Sequence, residues 1–194
     1  MEALRILGDE HQSLAAILHA VRYMLKEVGA GRLQPDLKLF AAMIHYLDAY
    51  PEKRHHPKED ILFARIQARS ADGADALARL DRQHQAAGAR IKNLEDALQA
   101  YAADPSAFAA FAAAFDNYAD FYRTHMMLEE SEAIPLARKV LSAEDWVEVD
   151  RAFAVDPDPM SGTRDKPEDF AAVFSKLVAS APAPIGLGAG PYEG

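Results

Sequence analysis

The apolar residues of this chain recur every three or four positions up to about residue 141, which is the period of helices that bury one face. Breaks at Gly29–Pro35, Ser70–Gly73 and Asp104–Pro105 divide the pattern into four rows. The rows predict helices at about residues 2–29, 35–69, 72–102 and 105–141, of which the second has the least regular spacing. Because short connections join antiparallel neighbours, we expect an all-α, up-down-up-down antiparallel four-helix bundle.

One histidine interrupts each apolar row. These are His11, His55, His84 and His125, among the seven histidines of the chain. In an antiparallel bundle, the position of a residue along the bundle axis follows from its distance in sequence to the nearest turn. Counted in this way, each histidine lies within about two residues, or roughly 3 Å along the axis, of the histidine on the preceding helix. A layer of inward imidazoles from four helices is typical of a metal site.

Two carboxylates and one more histidine extend this layer. Glu59 follows His55 by four residues and Glu129 follows His125 by four, so each pair shares one helix face. His56 precedes Pro57, and a proline there removes a backbone hydrogen bond and distorts the turn, which can bring His56 inward. Asp60 lies four residues after His56 and is an open alternative to Glu59.

Other polar and aromatic residues near this layer have simpler interpretations. His19 and His45 lie one position off their rows and are expected on the flanks of their helices. Tyr118 and Tyr122 are read as core aromatics, with Tyr122 a candidate for a hydrogen bond near the metal. The remaining charged neighbours are expected on solvated faces or, at most, behind the ligands: Lys58, Glu130 and Glu132.

Composition narrows the class of protein. Half of the 194 residues are hydrophobic, which is enough for one sizeable core. The chain has no cysteine, which excludes disulfides, thiolate clusters and zinc fingers. A net charge of -9 argues against nucleic acid as a partner. With neither a leader pattern nor an apolar span, we expect a cytoplasmic protein that does not associate with membranes.

The composition changes beyond residue 152. A run rich in aspartate and proline, Asp156 to Gly162, predicts a linker, and a short helix is expected from Pro167 to about Ala179. The stretch from Pro182 to Gly194 is rich in proline and glycine and is expected to be extended or disordered. We therefore expect a bundle over residues 1–153, followed by a linker, a short helix and a tail over 154–194.

Four segments together resemble the hemerythrin-like, or HHE cation-binding, domains. They are GDEHQSL around His11, YPEKRHHPKEDILF around His55, LDRQHQAAG around His84 and FYRTHMMLEESEAIPLA around His125. The resemblance extends over about residues 1–153 and implies a four-helix bundle that encloses a non-haem di-iron centre. Carried over residue by residue, it implies the ligands His11, His55, His56, Glu59, His84, His125 and Glu129.

The third helix departs from the oxygen-carrying members of that family. Those hemerythrins have two histidines four residues apart on this helix, whereas the residue four after His84 is Gly88 here. The missing ligand is either absent or supplied from elsewhere, and His56 is the available substitute.

The implied ligand set constrains the chemistry. Five imidazoles and two bridging carboxylates, with an oxo or hydroxo bridge, leave one position open on two six-coordinate irons, and Gly88 is expected to help leave room there. An imidazole-rich set suits iron better than magnesium or calcium. We expect binding or sensing of O₂, NO or peroxide at that position.

Two other functions are compatible with the same ligand set. One is a di-iron oxidoreductase that decomposes peroxide or handles NO, and the other is a protein of iron storage or cluster repair. The sequence leaves open whether the chain is an enzyme, forms homo-oligomers or has a protein partner.

Overall fold

The structure, a computed structural model, describes residues 1–155 and Asp158, and these residues are helices and turns without a β-strand. The expectation of an all-helical chain is confirmed for this part. Nearly all of the linker and the whole of the short helix and tail expected over 154–194 lie outside the described residues.

The described helices follow the predicted rows. The first and third rows form α1 (Glu2–Gly29) and α4 (Ala74–Ala103). The second row forms α2 (Leu37–Leu47), a first π-helical segment (Asp48–His55) and α3 (His56–Arg69) in direct succession. The fourth row begins with a 3₁₀ turn (Pro105–Ala107) and forms α5 (Phe108–Leu128), a second π-helical segment (Glu129–Ala133) and α6 (Ile134–Val140).

Each π segment ends just before a proline. The backbone N–H of His56 donates to the carbonyl of Pro51, and the N–H of Ile134 donates to that of Glu129, five residues back in both cases. Pro57 and Pro135 come next, and neither has an N–H to continue a regular α-helical ladder. A wider π turn thus precedes each proline, and such turns occur frequently at functional sites.

A helix that the apolar rows did not indicate follows α6. This helix, α7 (Ala143–Phe153), starts at a capping box in which the Ser142 hydroxyl accepts from the Asp145 N–H and the Asp145 carboxylate accepts from the Ser142 N–H. The fourth predicted helix was therefore right to about its end at 141, but the sequence analysis assigned no helix to residues 143–153. The spacing of Ser142 and Asp145 is the signal that marks this helix start.

Two apolar clusters form the core. The larger one joins the later turns of α1 to α2, α4 and α5, and includes Phe40, Phe111 and Phe115. The smaller one joins the first turns of α1 to α3, α4, α6 and α7, and includes Leu7 and Trp146. On α1, Leu7 belongs to the smaller cluster, Leu14 to the larger one, and His11 lies between them. The predicted polar layer therefore lies between two apolar regions.

Among residues 1–155, no helix combines the length and the apolar character that crossing a bilayer requires.

Candidate metal centre

The structure brings all seven predicted ligands into one buried layer. The side chain of His84 is 7% exposed, and no other member of the set exceeds 4%. They come from every part of the predicted bundle: His11 from α1, His55 from the end of the first π segment, His56 and Glu59 from α3, His84 from α4, His125 from α5 and Glu129 from the start of the second π segment.

The Glu59 carboxylate faces two different groups of imidazoles. Its Oε1 lies 3.0 Å from Nε2 of His55 and 3.5 Å from Nε2 of His11. Its Oε2 lies 3.4 Å from Nε2 of His84 and 4.0 Å from Nε2 of His125. One carboxylate can thus offer an oxygen to each of two neighbouring cations.

Glu129 repeats this arrangement from the opposite helix. Its Oε2 lies 3.3 Å from Nε2 of His11, and its Oε1 lies 3.1 Å from Nε2 of His125. Two groups of donor atoms result, each with its atoms within 4.8 Å of one another. We call His11, His55 and Glu59 the two-histidine half, and His56, His84, His125 and Glu59 the three-histidine half.

Four of the five imidazoles are held by their outer nitrogen while Nε2 faces the layer. The Nδ1 atoms of His11, His55, His84 and His125 lie 3.1, 2.7, 2.7 and 2.9 Å from side-chain oxygens of Glu130, Glu10, Asp60 and Gln83. An acceptor at Nδ1 places the ring proton there and leaves the Nε2 lone pair free for a cation. This pattern is typical of metal-binding histidines.

His56 is held differently. Its Nε2 lies 3.2 Å from the Tyr122 hydroxyl, and its Nδ1 lies 3.5 Å from Oε2 of Glu52. Its ring stacks on His84 with centroids 4.2 Å apart. Burial, followed by the charge of His84, lowers the pKa of His56 well below its ordinary value, so that this imidazole is neutral.

The unpaired atoms of the layer test whether a cation fits. Among the described residues, both oxygens of Glu59 and Glu129 and the Nε2 atoms of His11 and His55 are buried without a hydrogen-bond partner. A buried carboxylate without partners costs free energy, and buried charges are normally either paired with another charge or bound to a metal ion. The donor set of imidazole nitrogens and carboxylate oxygens fits a first-row transition metal.

Charges across the layer shift several pKa values. Burial opposes protonation of His55, but Glu59 and Glu10 outweigh it and raise its pKa to about 9. Burial also opposes protonation of His84, but its hydrogen bond to Asp60 and the nearby Glu59 carboxylate outweigh burial and raise its pKa to about 10. Burial disfavours the charged form of Glu59, yet His55 and the other imidazoles hold its pKa well below normal. A metal ion therefore competes with protons for these nitrogens.

The places predicted for the residues next to the layer can be compared with the structure. Asp60 is 54% exposed at its side chain and bonds the outer nitrogen of His84, so Glu59, not Asp60, lies in the layer. His19 and His45 are exposed, as expected for flank residues. For Lys58 the solvated face was wrong and the alternative, a place behind the ligands, was right, because Lys58 is buried between α1 and the first π segment, where it bonds Glu10.

Three polar residues that lie beside the imidazoles were not predicted from the sequence: Glu10, Glu52 and Gln83. Glu52 precedes His56 by four residues, so the spacing that singled out Glu59 and Glu129 also marks it. Glu10 and Gln83 each precede a row histidine by one residue, and no spacing rule indicates that they reach a histidine of another helix.

Comparison with known proteins adds one positive finding. The family model described as the hemerythrin HHE cation binding domain matches residues 2–137. No curated protein and no solved structure matches the chain significantly. The match spans well over half of the chain and includes every residue of the buried layer, so the chain belongs to the hemerythrin HHE cation-binding domain family.

Proposed function

We propose that this protein holds two non-haem iron ions, one in each half of the buried layer. The carrying observation is that Glu59 and Glu129 each direct one oxygen at each group of imidazoles. Two cations bridged by two carboxylates would satisfy every unpaired atom of these carboxylates at once. The proposed ligands are His11, His55, His56, Glu59, His84, His125 and Glu129.

The proposal includes the direction of the helices. Short turns join the predicted rows, and histidines from all of them meet at one level. We propose that the bundle runs up-down-up-down, because this order brings residues at these sequence positions to one height.

We propose further that the protein binds or senses O₂, NO or peroxide. The imidazoles and two carboxylates of the layer would hold the iron, which would supply the affinity for such a molecule. Apolar clusters lie on both sides of the layer and would limit the access of water to it. The expectation that Gly88 helps to leave room at the open coordination position is not supported, because Gly88 is exposed and an added Cβ would meet no atom within 4 Å.

The deciding experiment is metal analysis of natively expressed protein, with optical spectra recorded in air and after reduction. We expect about two irons per chain and an absorption band typical of oxo-bridged ferric pairs, which changes reversibly with reduction. Stoichiometric zinc without iron would reject the proposal.

One variant pair links the spectrum to the layer. His84→Ala removes an imidazole of the three-histidine half, and we expect it to halve or abolish the iron content. His19→Ala is the matched control, because His19 is exposed on α1. Unchanged iron in His84→Ala would remove His84 from the proposed ligand set.

A hydrogen-bonded chain beside His56 favours a second candidate, an oxidoreductase that decomposes peroxide or handles NO. The hydroxyls of Tyr118 and Tyr122 lie 2.9 and 2.6 Å from the same oxygen of Glu52. Burial outweighs these bonds and raises the pKa of Glu52, so this carboxyl can hold a proton near the layer.

An assay with peroxide separates the two candidates. Sustained O₂ release from peroxide without loss of iron would favour the oxidoreductase, whereas a reversible spectral change without turnover would favour binding or sensing.

A further inference from the structure

A buried polar cluster lies behind His55, on the side away from the metal layer. Glu10 of α1 is 2% exposed, and its two oxygens have different partners. Its Oε2 lies 2.7 Å from Nδ1 of His55. Its Oε1 accepts from the Tyr50 hydroxyl at 2.5 Å and from Nζ of Lys58 at 3.1 Å. Nζ of Lys58 also lies 3.0 Å from the Tyr50 hydroxyl, so the three side chains all contact one another.

This cluster keeps an ionised carboxylate inside the protein. A buried carboxylate is tolerated only when it is paired and hydrogen-bonded, and Lys58 and Tyr50 provide both. Nζ of Lys58 lies 3.1 Å from Oε1 of Glu10, and both side chains are buried. The negative charge is therefore held against the outer nitrogen of His55.

The partners of the other imidazoles differ in burial or charge. Glu130, behind His11, and Asp60, behind His84, are 59% and 54% exposed at their side chains. Gln83, behind His125, carries no charge. Glu52 is buried, but it lies 3.5 Å from Nδ1 of His56 and makes no hydrogen bond to it. His55 thus combines a short outer bond with a buried anion.

We propose that Glu10, held by Tyr50 and Lys58, is a positioning residue that fixes the His55 proton on Nδ1 and strengthens its Nε2 as a metal donor. The inference rests on the proposed metal-binding function and makes the two halves unequal. The two-histidine half has fewer imidazoles, and the buried anion compensates for part of that difference. Outer-shell partners of this kind typically change metal affinity by about 10- to 100-fold.

The test measures Co²⁺ binding to the full chain by competition with a chelator, and the visible absorption of bound Co²⁺ reports the environment of each half. We expect the wild type to bind two Co²⁺ and Glu10→Gln to bind one of them about 10- to 100-fold more weakly, with a changed spectrum. Asp60→Asn is the matched control, because Asp60 bonds its histidine at the same 2.7 Å but from the solvent side. Water can replace an exposed partner, so we expect a loss of less than about threefold. An equal loss in both variants would overturn the inference.

A second variant separates positioning from folding. Glu10→Gln removes the anion that Lys58 contacts at 3.1 Å, which destabilises the chain whatever Glu10 does for His55. The double variant Glu10→Gln/Lys58→Met removes both charges, and we expect it to recover thermal stability in the absence of metal while Co²⁺ affinity stays low. Recovery of affinity together with stability would show a merely structural role and overturn the inference. A wild type that bound fewer than two Co²⁺ would instead overturn the proposed two-metal function, and the positioning role with it.

Discussion

At the scale of single residues, Glu59 lies within 4.0 Å of four imidazoles, one more than Glu129. Its two oxygens face imidazoles from α1, the first π segment, α4 and α5. It is fully buried, and both oxygens lack hydrogen-bond partners within the described part of the chain. Asp60 cannot take its place in the layer, because it is 54% exposed at its side chain and bonds the outer nitrogen of His84.

The first prediction follows from this position. Glu59→Ala removes an oxygen from both halves, and we expect the purified variant to lose both metal ions. Asp60→Ala removes only an exposed outer partner, and we expect it to retain at least most of the metal. Elemental analysis of the two variants, prepared in parallel, measures the difference. Full metal content in Glu59→Ala would contradict a bridging role.

Residue spacing predicted the layer because its members obey helix geometry. His55 and Glu59, like His125 and Glu129, are four residues apart on one face, and the histidine heights follow from helix rise. Lys58 was misplaced for a physical reason. A lysine is normally solvated, and its burial depends on Glu10, an anion on another helix that no local pattern reveals.

At the scale of helices, the two π segments position the ligands. His55 ends the first segment, and Glu129 begins the second. Ala133, at the end of the second segment, and Ala137 are buried, whereas Leu136, seven residues after Glu129 and on its face in a regular α-helix, is only partly buried. A periodic pattern assumes one constant turn, so it finds the helices but cannot show where a wider turn shifts the register. Pro57 and Pro135 mark both places in the sequence.

The second prediction concerns the start of α7. Ser142→Ala removes the hydroxyl that caps this helix, and we expect a loss of about 1 kcal/mol in the free energy of unfolding. Ser142→Thr keeps a hydroxyl and serves as the control with a smaller loss. Chemical denaturation followed by circular dichroism gives both values. No change in Ser142→Ala would show that the cap is dispensable.

The third prediction is the pH dependence of the same junction. A hydrogen bond from Arg69, followed by the Ser142 N–H, holds the pKa of Asp145 below its ordinary value. Because the pKa is lower in the folded than in the unfolded chain, this carboxylate stabilises the fold above its unfolded pKa of about 3.9. The stabilisation is lost as the pH falls through the lower, folded value.

Asp145→Asn tests this dependence by comparison. We expect the wild type to be more stable than the variant near pH 6, and the difference to shrink as the pH falls below about 4. Denaturation curves of both proteins at several pH values measure it. A difference that stayed constant with pH would contradict ionic pairing of Asp145 with Arg69.

At the scale of the whole molecule, the metal layer separates the two apolar clusters. The smaller cluster contains the first turns of α1 and the whole apolar face of α7. The Asp150 carboxylate of α7 accepts from the Ala3 N–H at 2.8 Å, which ties α7 to the start of α1. Metal ions bound in the layer would join helices that contribute to both clusters, so metal binding would increase folding stability.

The fourth prediction is that metal removal loosens the smaller cluster first. Trp146 lies in this cluster, is 8% exposed and is the only tryptophan of the chain, so its fluorescence reports that region.

The experiment compares the metal-free protein with the protein in Zn²⁺ at about 100 times the dissociation constant. Binding then adds about 2.7 kcal/mol to the free energy of unfolding, which corresponds to roughly 5–10 °C in melting temperature for a chain of this size. Zn²⁺ is used because it does not quench tryptophan. We expect the fluorescence transition of the metal-free protein to precede its circular dichroism transition, and the two to coincide once Zn²⁺ is bound. Coincident transitions without metal would show that the two clusters unfold together and do not need the metal layer to hold them as one unit.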